Sequence, residues 1–310
     1  MKLRSNQTVV GLFFTICVLL IILSACAKPE KTELSLKNLE PMEKEVCSAQ
    51  DQTPLRLGLS TGILPETNLH YYEPLADYLS EKLGQPVKIV QRNTYGEINE
   101  LMSFDQIDVA IVCSSSYILS ANMELLAVPQ IQSSTTYESL IITQADRPIT
   151  SFNQLRGKTF AFTDPISTTG TVYPLSRIYA LGEKPETFFK TYFYTYNHEK
   201  SINAVAEKLV DGASVDSTVW SNVIKNSPDL SKKLKIIEKS PPFPNSPVVA
   251  RKDLAAATKE KIKQVFLDMA NQQEGQQVLA LYGLDNYVVG KPEDYRQVER
   301  LMKQVIQKWR

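Results

Sequence analysis

The residues best suited to chemistry lie in one loop, Ser167-Thr168-Thr169, followed by Gly170. Three adjacent hydroxyls are three potential O–H donors. If a helix starts directly after them, the unpaired N–H groups of its first turn and the positive end of its dipole face the same point. Such a loop can seat an anion by donor geometry, and it contains no Lys or Arg that would select for bulk negative charge. The same residues also suit ordinary capping, with one hydroxyl on the helix and the others in water. Two more hydroxyl clusters, Ser60-Thr61 and Ser114-Ser115-Ser116, follow apolar runs. His198 can donate to an anion whether neutral or cationic, or simply cap a helix in solvent. Asp216 would repel an anion unless a proton lay between them, so it either accepts an O–H from a monoprotonated oxyanion or caps the segment SVDSTVW.

Those residues need elements to hold them. LRGKTFAF reads as a short strand ended by Asp164-Pro165, and Val172, Leu175, Ile178 and Tyr179 recur at helical spacing after the loop. Pro174 falls early enough in that helix to be tolerated. Upstream, the pattern predicts a strand over 55–59, an amphipathic helix over 72–83 closed by Gly84, a strand over 87–90, a helix over 97–104 and a buried strand over 108–113. Downstream it predicts strands over 139–143 and 191–196, a helix over 201–209, strands ending at Asp216 and over 234–237, a Pro-rich crossover over 240–247, a strand over 248–250, and helices over 258–270, 272–282 and 292–308. Alternating strands and helices imply an α/β fold with a mainly parallel sheet. All three hydroxyl clusters then sit just past the C-terminal ends of strands, where open α/β sheets bind ligands in preformed polar pockets.

The first 25 residues read as a leader. Lys2 and Arg4 precede an apolar run over 9–23, and Leu23-Ser24-Ala25-Cys26 has the form of a lipobox, with cleavage before Cys26 and diacylglycerol on its thiol. An uncleaved membrane anchor is the alternative, but the run is short for a span. Residues 26–53 are polar and of mixed charge, as a lipid-anchored flexible tether would be. The chain of 310 residues balances 34 Lys and Arg against 34 Asp and Glu, which argues against a nucleic-acid partner. Its 43% hydrophobic and 22% charged residues suit a globular protein with a real core. Two histidines and no CxxC or HExxH spacing make a metal site or cofactor unexpected. Cys47, in the tether, and Cys113, at a strand end, are not expected to pair.

The segment DP-x-STTG-x-x-x-P resembles that of the phosphate/phosphite/phosphonate-binding proteins of ABC importers. Y-E-P-L-A-D-Y-L with K-L-G, then Tyr95, then F-x-x-x-D-V-A resemble the family's opening; His198 with its acidic neighbour, V-D-S at 215–217, and the stretches at 274–279 and 282–283 resemble its later parts. Cys113 departs from the family, which commonly has Gly there. The resemblance implies a two-lobed periplasmic-binding-protein fold of type II, with residues 54–142 plus 241–310 in lobe 1, 143–240 in lobe 2, and hinge crossovers near 142 and 241. It implies no cofactor and no catalysis, a small phospho-oxyanion as ligand, an ABC permease and its ATPase as partners, and a monomer anchored outside the cytoplasm. The ligand would be held by Ser167, Thr168, Thr169, His198, Ser115, Ser116, Asp216 and Thr61, with Tyr72 giving a hydroxyl or a wall from lobe 1. The fold also carries enzymes acting on small carboxylates and sensors that present a bound ligand to a membrane receptor, so those two functions stay open at this point.

Overall fold

The computed structural model describes residues 53–60 and 70–309. Lys2, Arg4, Cys26, Cys47 and Thr61, with the leader, the lipobox and nearly all of the tether, lie outside the described residues. The described chain begins with β1 (Leu55–Ser60), α1 (Glu73–Leu83), β2 (Val87–Arg92), α2 (Tyr95–Ser103), β3 (Val109–Ile111), α3 (Ser114–Leu119) and β4 (Met123–Gln130). A short β5 (Thr136–Tyr137) leads to β6 (Ser139–Gln144) and β7 (Thr159–Phe162). A helical turn over Thr168–Val172 runs into α4 (Tyr173–Ala180), followed by α5 (Pro185–Phe188), β8 (Thr191–Tyr194), α6 (His198–Ala206), β9 (Gly212–Asp216), α7 (Ser217–Asn226), α8 (Leu230–Lys233) and β10 (Leu234–Lys239). The return passes through β11 (Phe243–Pro244) to β12 (Val248–Arg251), α9 (Ala256–Leu267), α10 (Gln273–Tyr282), β13 (Asn286–Val288) and α11 (Arg296–Trp309).

Two sheets result, in the orders β13-β4-β12-β3-β1-β2 and β10-β6-β9-β7-β8. In the first, β1 pairs in parallel with β2 and β3, while β12 runs antiparallel between β3 and β4. In the second, β7 pairs in parallel with β8 and β9, while β6 runs antiparallel between β9 and β10. The runs β2-β1-β3-β12-β4 and β8-β7-β9-β6-β10 therefore repeat one plan, in which the antiparallel strand is the one that has just crossed from the other lobe. The crossing segments pair with each other as β5 and β11, Tyr137 opposite Phe243, and form the hinge ribbon. This is the type II binding-protein fold.

Local chemistry accounts for the elements. Leu75, Tyr78, Leu79 and Leu83 share the buried face of α1, Pro74 sits in its first turn, and Gly84 ends it at φ 69°. Helix α2 starts two residues before the predicted 97 because Thr94 and Glu97 form a reciprocal capping box. Helix α6 likewise begins at His198, three residues before the predicted 201, because the Asn197 side chain caps it. The second lobe is rich in packed rings: Phe160 stacks on Phe189 at 4.4 Å and Phe152 on Phe188 at 5.2 Å. Such pairs add about 1 kcal/mol each to the area they bury.

Two expected boundaries move. The strand at 139–144 belongs wholly to the second sheet, so the first crossover lies before residue 139 and not at 142. The periodicity of SLIITQ announces a strand but not which sheet it joins. The C-terminal helix is not part of lobe 1 alone, since Val298, Met302 and Val305 of α11 enter the second lobe's core beside Phe152, Leu175 and Ile178. Strands β4 and β13, which pair with each other, are not among the strands expected from the sequence.

Candidate anion-binding site

The hydroxyl loop opens the α4 helix as the sequence suggests. The Ser167 side chain accepts the Gly170 N–H at 3.1 Å, and the Ser167 carbonyl accepts both Thr171 N–H at 3.1 Å and Val172 N–H at 2.9 Å. The first turn is thereby widened, a form found often at functional sites. Only glycine fits at 170, because a Cβ there would stand 1.6 Å from the Thr163 hydroxyl oxygen. Two neighbouring strands fix the loop from behind. Ser139 of β6 and Ser214 of β9 donate to the Thr169 carbonyl at 2.7 and 2.5 Å, and their own hydroxyls lie 2.8 Å apart. Ser167, Thr168 and Thr169 are all buried.

His198 reaches the same loop from the start of α6. Its Nδ1 accepts the Asp216 backbone N–H at 3.1 Å, and since a peptide N–H can only donate, the proton of the neutral ring sits on Nε2. Burial lowers the His198 pKa against the opposing pull of Asp216, which favours that neutral ring. Nε2 lies 3.4 Å from the Ser167 hydroxyl oxygen. That oxygen then accepts from Gly170 N–H and from His198 Nε2–H, which occupies both lone pairs. The single Ser167 proton is left to point outward as a donor. Asp216 takes the capping role: its Oδ1 accepts Thr218 N–H at 2.7 Å, the Thr218 hydroxyl at 2.6 Å and Val219 N–H at 3.2 Å, at the start of α7.

Lobe 1 meets the loop through the start of α3. Ser115 donates its backbone N–H to the Thr168 hydroxyl at 2.8 Å, and the two hydroxyls also lie 2.8 Å apart. Its neighbours turn elsewhere, Ser116 Oγ to Asn99 Oδ1 and Ser114 Oγ to the Pro244 carbonyl at 2.6 Å. The buried Cys113 thiol accepts Ser116 N–H at 3.4 Å as the cap of α3 and lies 3.6 Å from the Ile166 carbonyl. Burial pushes that thiol up to about 12, so it is neutral.

Of the predicted site residues, Ser115, Ser167, Thr168, Thr169, His198 and Asp216 come together. The Ser116 hydroxyl is directed to Asn99, and Thr61 is outside the described residues. Tyr72 does not join this hydrogen-bond network; it stacks on Tyr282 at 5.0 Å, edge-on to Tyr71. Two other tyrosines lie closer to the loop, Tyr95 through its backbone N–H to Asp164 at 3.0 Å and Tyr137 in the hinge ribbon. Tyr95 and Tyr137 are buried, and burial is the main cause that raises both phenols. Tyr137 OH lies 3.4 Å from Ser114 Oγ. Tyr95 stood in the sequence within the family-like opening, whereas Tyr137 sits in a two-residue hinge strand with no pattern to mark it. Among the described residues, none of these hydrogen bonds involves a Lys or Arg side chain.

Two lobes of type II topology, meeting at a buried set of neutral donors, have the architecture of the two-lobed solute-binding proteins. Over residues 58–295 the chain matches the family described as ABC transporter, phosphonate, periplasmic substrate-binding protein, and it belongs to that family. It is 29% identical over 259 residues to the phosphonates-binding periplasmic protein of Escherichia coli K12, covering 80% of this chain and 76% of that protein. It is 25% identical over 214 residues to the phosphate-import protein of Mycolicibacterium smegmatis, covering 64% of this chain and 67% of that one. Among solved structures, a binding-protein component of a phosphonate ABC transporter from Pseudomonas aeruginosa superposes with a TM-score of 0.74 at 26% identity, covering 81% of this chain and 86% of that chain. PhnD1 of Prochlorococcus marinus, solved with methylphosphonate, shares the fold with a TM-score of 0.71 at 19% identity, covering 82% and 99%.

Proposed function

We propose that this protein captures a small phosphorus oxyanion, such as phosphite, phosphate or methylphosphonate, between its lobes and delivers it to an ABC permease and its ATPase. The observation that carries this is the Ser167–Thr169 loop, a buried cluster of neutral donors reached from the other lobe by Ser115. Hydrogen bonds to a charged acceptor contribute about 1.5–3 kcal/mol each, so a handful suffices for tight capture without a cation. The relatives support the class: their names record binding of phosphonates in E. coli and import of phosphate in M. smegmatis. The protein acts by binding, without turnover, as a monomer held outside the cytoplasm by lipid on Cys26.

Small anions are preferred to 2-aminoethylphosphonate. An ammonium group in the closed cleft needs a carboxylate, and the flanking segments Ser217-Thr218-Val219 and Pro244-Asn245-Ser246-Pro247 supply none. Asp216 already spends Oδ1 on three donors of α7. Calorimetry with phosphite, phosphate, methylphosphonate, 2-aminoethylphosphonate and sulfate tests the proposal. Micromolar or tighter binding of one of the first three is expected. No binding of any of them, or tighter binding of 2-aminoethylphosphonate, overturns the ligand assignment. Cys26→Ser should leave the precursor unprocessed and free of lipid label; normal processing would refute the anchor.

A further inference from the structure

Asp164, two residues before the loop's Ile166, is buried to 2% exposure yet has no ion-pair partner among the described residues. Its oxygens accept two backbone N–H groups. Oδ1 takes Ile166 N–H of its own loop at 2.9 Å, and Oδ2 takes Tyr95 N–H of the other lobe at 3.0 Å. Tyr95 is the first residue of α2, whose capping box already satisfies the Thr94 and Glu97 amides through Glu97 Oε2 and Thr94 Oγ1. The Tyr95 amide is one of the donors that no intrahelical bond can reach, and it lies at the positive end of the helix. A carboxylate from lobe 2 completes it.

We infer that Asp164 is a positioning residue that docks Tyr95 onto the anion site when the lobes close. This rests on the binding function proposed above and goes beyond it by assigning the contact that couples closure to the site. Three observations converge on it. The bond joins the lobes, so separating them must break it. Tyr95 is buried beside the loop that carries Asp164, so fixing its backbone fixes where its ring sits. Asp164 also belongs to the same loop as Ser167 and Thr168, whose cross-lobe bond to Ser115 forms in the same closure. The carboxylate acts as an acceptor and not as a bare charge, because burial makes its ionised form costly and only directed N–H groups offset that.

The experiment compares closure in the full mature chain by interlobe distance, with dyes placed on the outer strands β2 and β8, alongside the dissociation rate of methylphosphonate. Asp164→Ala should shift the distance distribution toward open forms and raise the dissociation rate at least tenfold, and Asp164→Asn, which keeps one acceptor oxygen, should lie between it and the parent. Tyr95→Pro against Tyr95→Ala isolates the amide: both lack the phenol, proline suits the first helical position, and only proline lacks the N–H. Proline should be the more open. Parental distances and dissociation in Asp164→Ala, or identical proline and alanine variants, would overturn the inference. If Asp164→Ala fails to fold, the proline and alanine pair decides alone. If the parent binds no phosphorus oxyanion, the ligand assignment fails, while the interlobe distances of the unliganded variants still read the contact.

Discussion

The two lobes share one strand plan but not one use of it. In lobe 2 the groups at the strand ends are held by their own lobe: Ser167 by Gly170 and His198, the Thr169 carbonyl by Ser139 and Ser214, His198 by the Asp216 amide. In lobe 1 the corresponding groups look across the cleft, Ser115 to Thr168 and Tyr95 to Asp164. Under the proposed function, lobe 2 would be a preorganised seat and lobe 1 a cap that completes its bonds on closing. Preorganisation lowers the ordering cost of binding, and a cap of this kind would govern how slowly ligand leaves.

The largest effect expected from breaking this contrast is at Gly170. Gly170→Ala drives a methyl into Thr163, and the seat's backbone must shift. A loss of at least a hundredfold in oxyanion affinity is expected, with destabilisation of about 3 kcal/mol, read by calorimetry and thermal melts. Next come the donors. Ser167→Ala and Thr168→Ala should each cost about 1–3 kcal/mol of binding, hence about fivefold to 150-fold. Folding should suffer about 1 kcal/mol at most at Ser167, the loss of a cap. Ser115→Ala, on the cap side, should act mainly on the dissociation rate, and a double-mutant cycle with Thr168→Ala should show coupling of at least about 0.5 kcal/mol. Additive effects would remove Ser115 from the closure contacts.

How legible this was depended on the range of the signal. The loop could be read because a strand end, three hydroxyls, a glycine and a helical repeat follow one another in sequence. Helix α1 could be read from the spacing of Leu75, Leu79 and Leu83. Pairing across the fold could not. Nothing near Asp164 in the sequence separates a turn residue before proline from a buried acceptor for an amide 69 residues upstream. Helix α3 was hidden because Ser114-Ser115-Ser116 has the composition of a turn, while the cap that starts it is the Cys113 thiol. Tyr72 and Tyr95 both open helices of lobe 1, and only the tertiary arrangement tells which one reaches the site.

A smaller effect concerns pH. His198 has a folded-state pKa below its ordinary value of about 6.5, so between those two values the unfolded chain binds more protons. Stability contributed by the neutral ring is present above about 6.5 and is lost as pH falls toward the folded value. Asp164, raised by burial, works in the opposite sense at lower pH: folding is favoured as pH falls through its raised value toward the ordinary carboxylate range. Melting temperatures should therefore fall between roughly pH 7 and 5 more steeply in the parent than in His198→Gln, whose amide can imitate the Nε2–H donor without titrating. Equal slopes would mean that His198 is not held neutral in the fold.

The smallest expected effect is the sharpest test of which tyrosine belongs to the cap. Tyr72 lies in a ring cluster with Tyr71 and Tyr282, where the Tyr282 hydroxyl donates to the Tyr71 carbonyl at 3.0 Å and the Tyr71 hydroxyl to the Leu281 carbonyl at 3.3 Å. These contacts tie α1 to α10 within lobe 1 and do not approach the hydroxyl loop. Tyr72→Phe keeps the ring that makes the stack, so affinity should stay within about twofold and stability within about 0.5 kcal/mol. Tyr95→Phe removes a buried hydroxyl next to the hydroxyl loop, leaves the amide contact to Asp164 intact, and should cost about 1 kcal/mol of binding, near fivefold. The pair changes the same atom in the same residue type, so side-chain chemistry cancels and only location differs. A loss at Tyr72 equal to that at Tyr95 would show that the cap extends along α1, and the division between a pre-built seat and a cap resting on α2 and α3 would have to be redrawn.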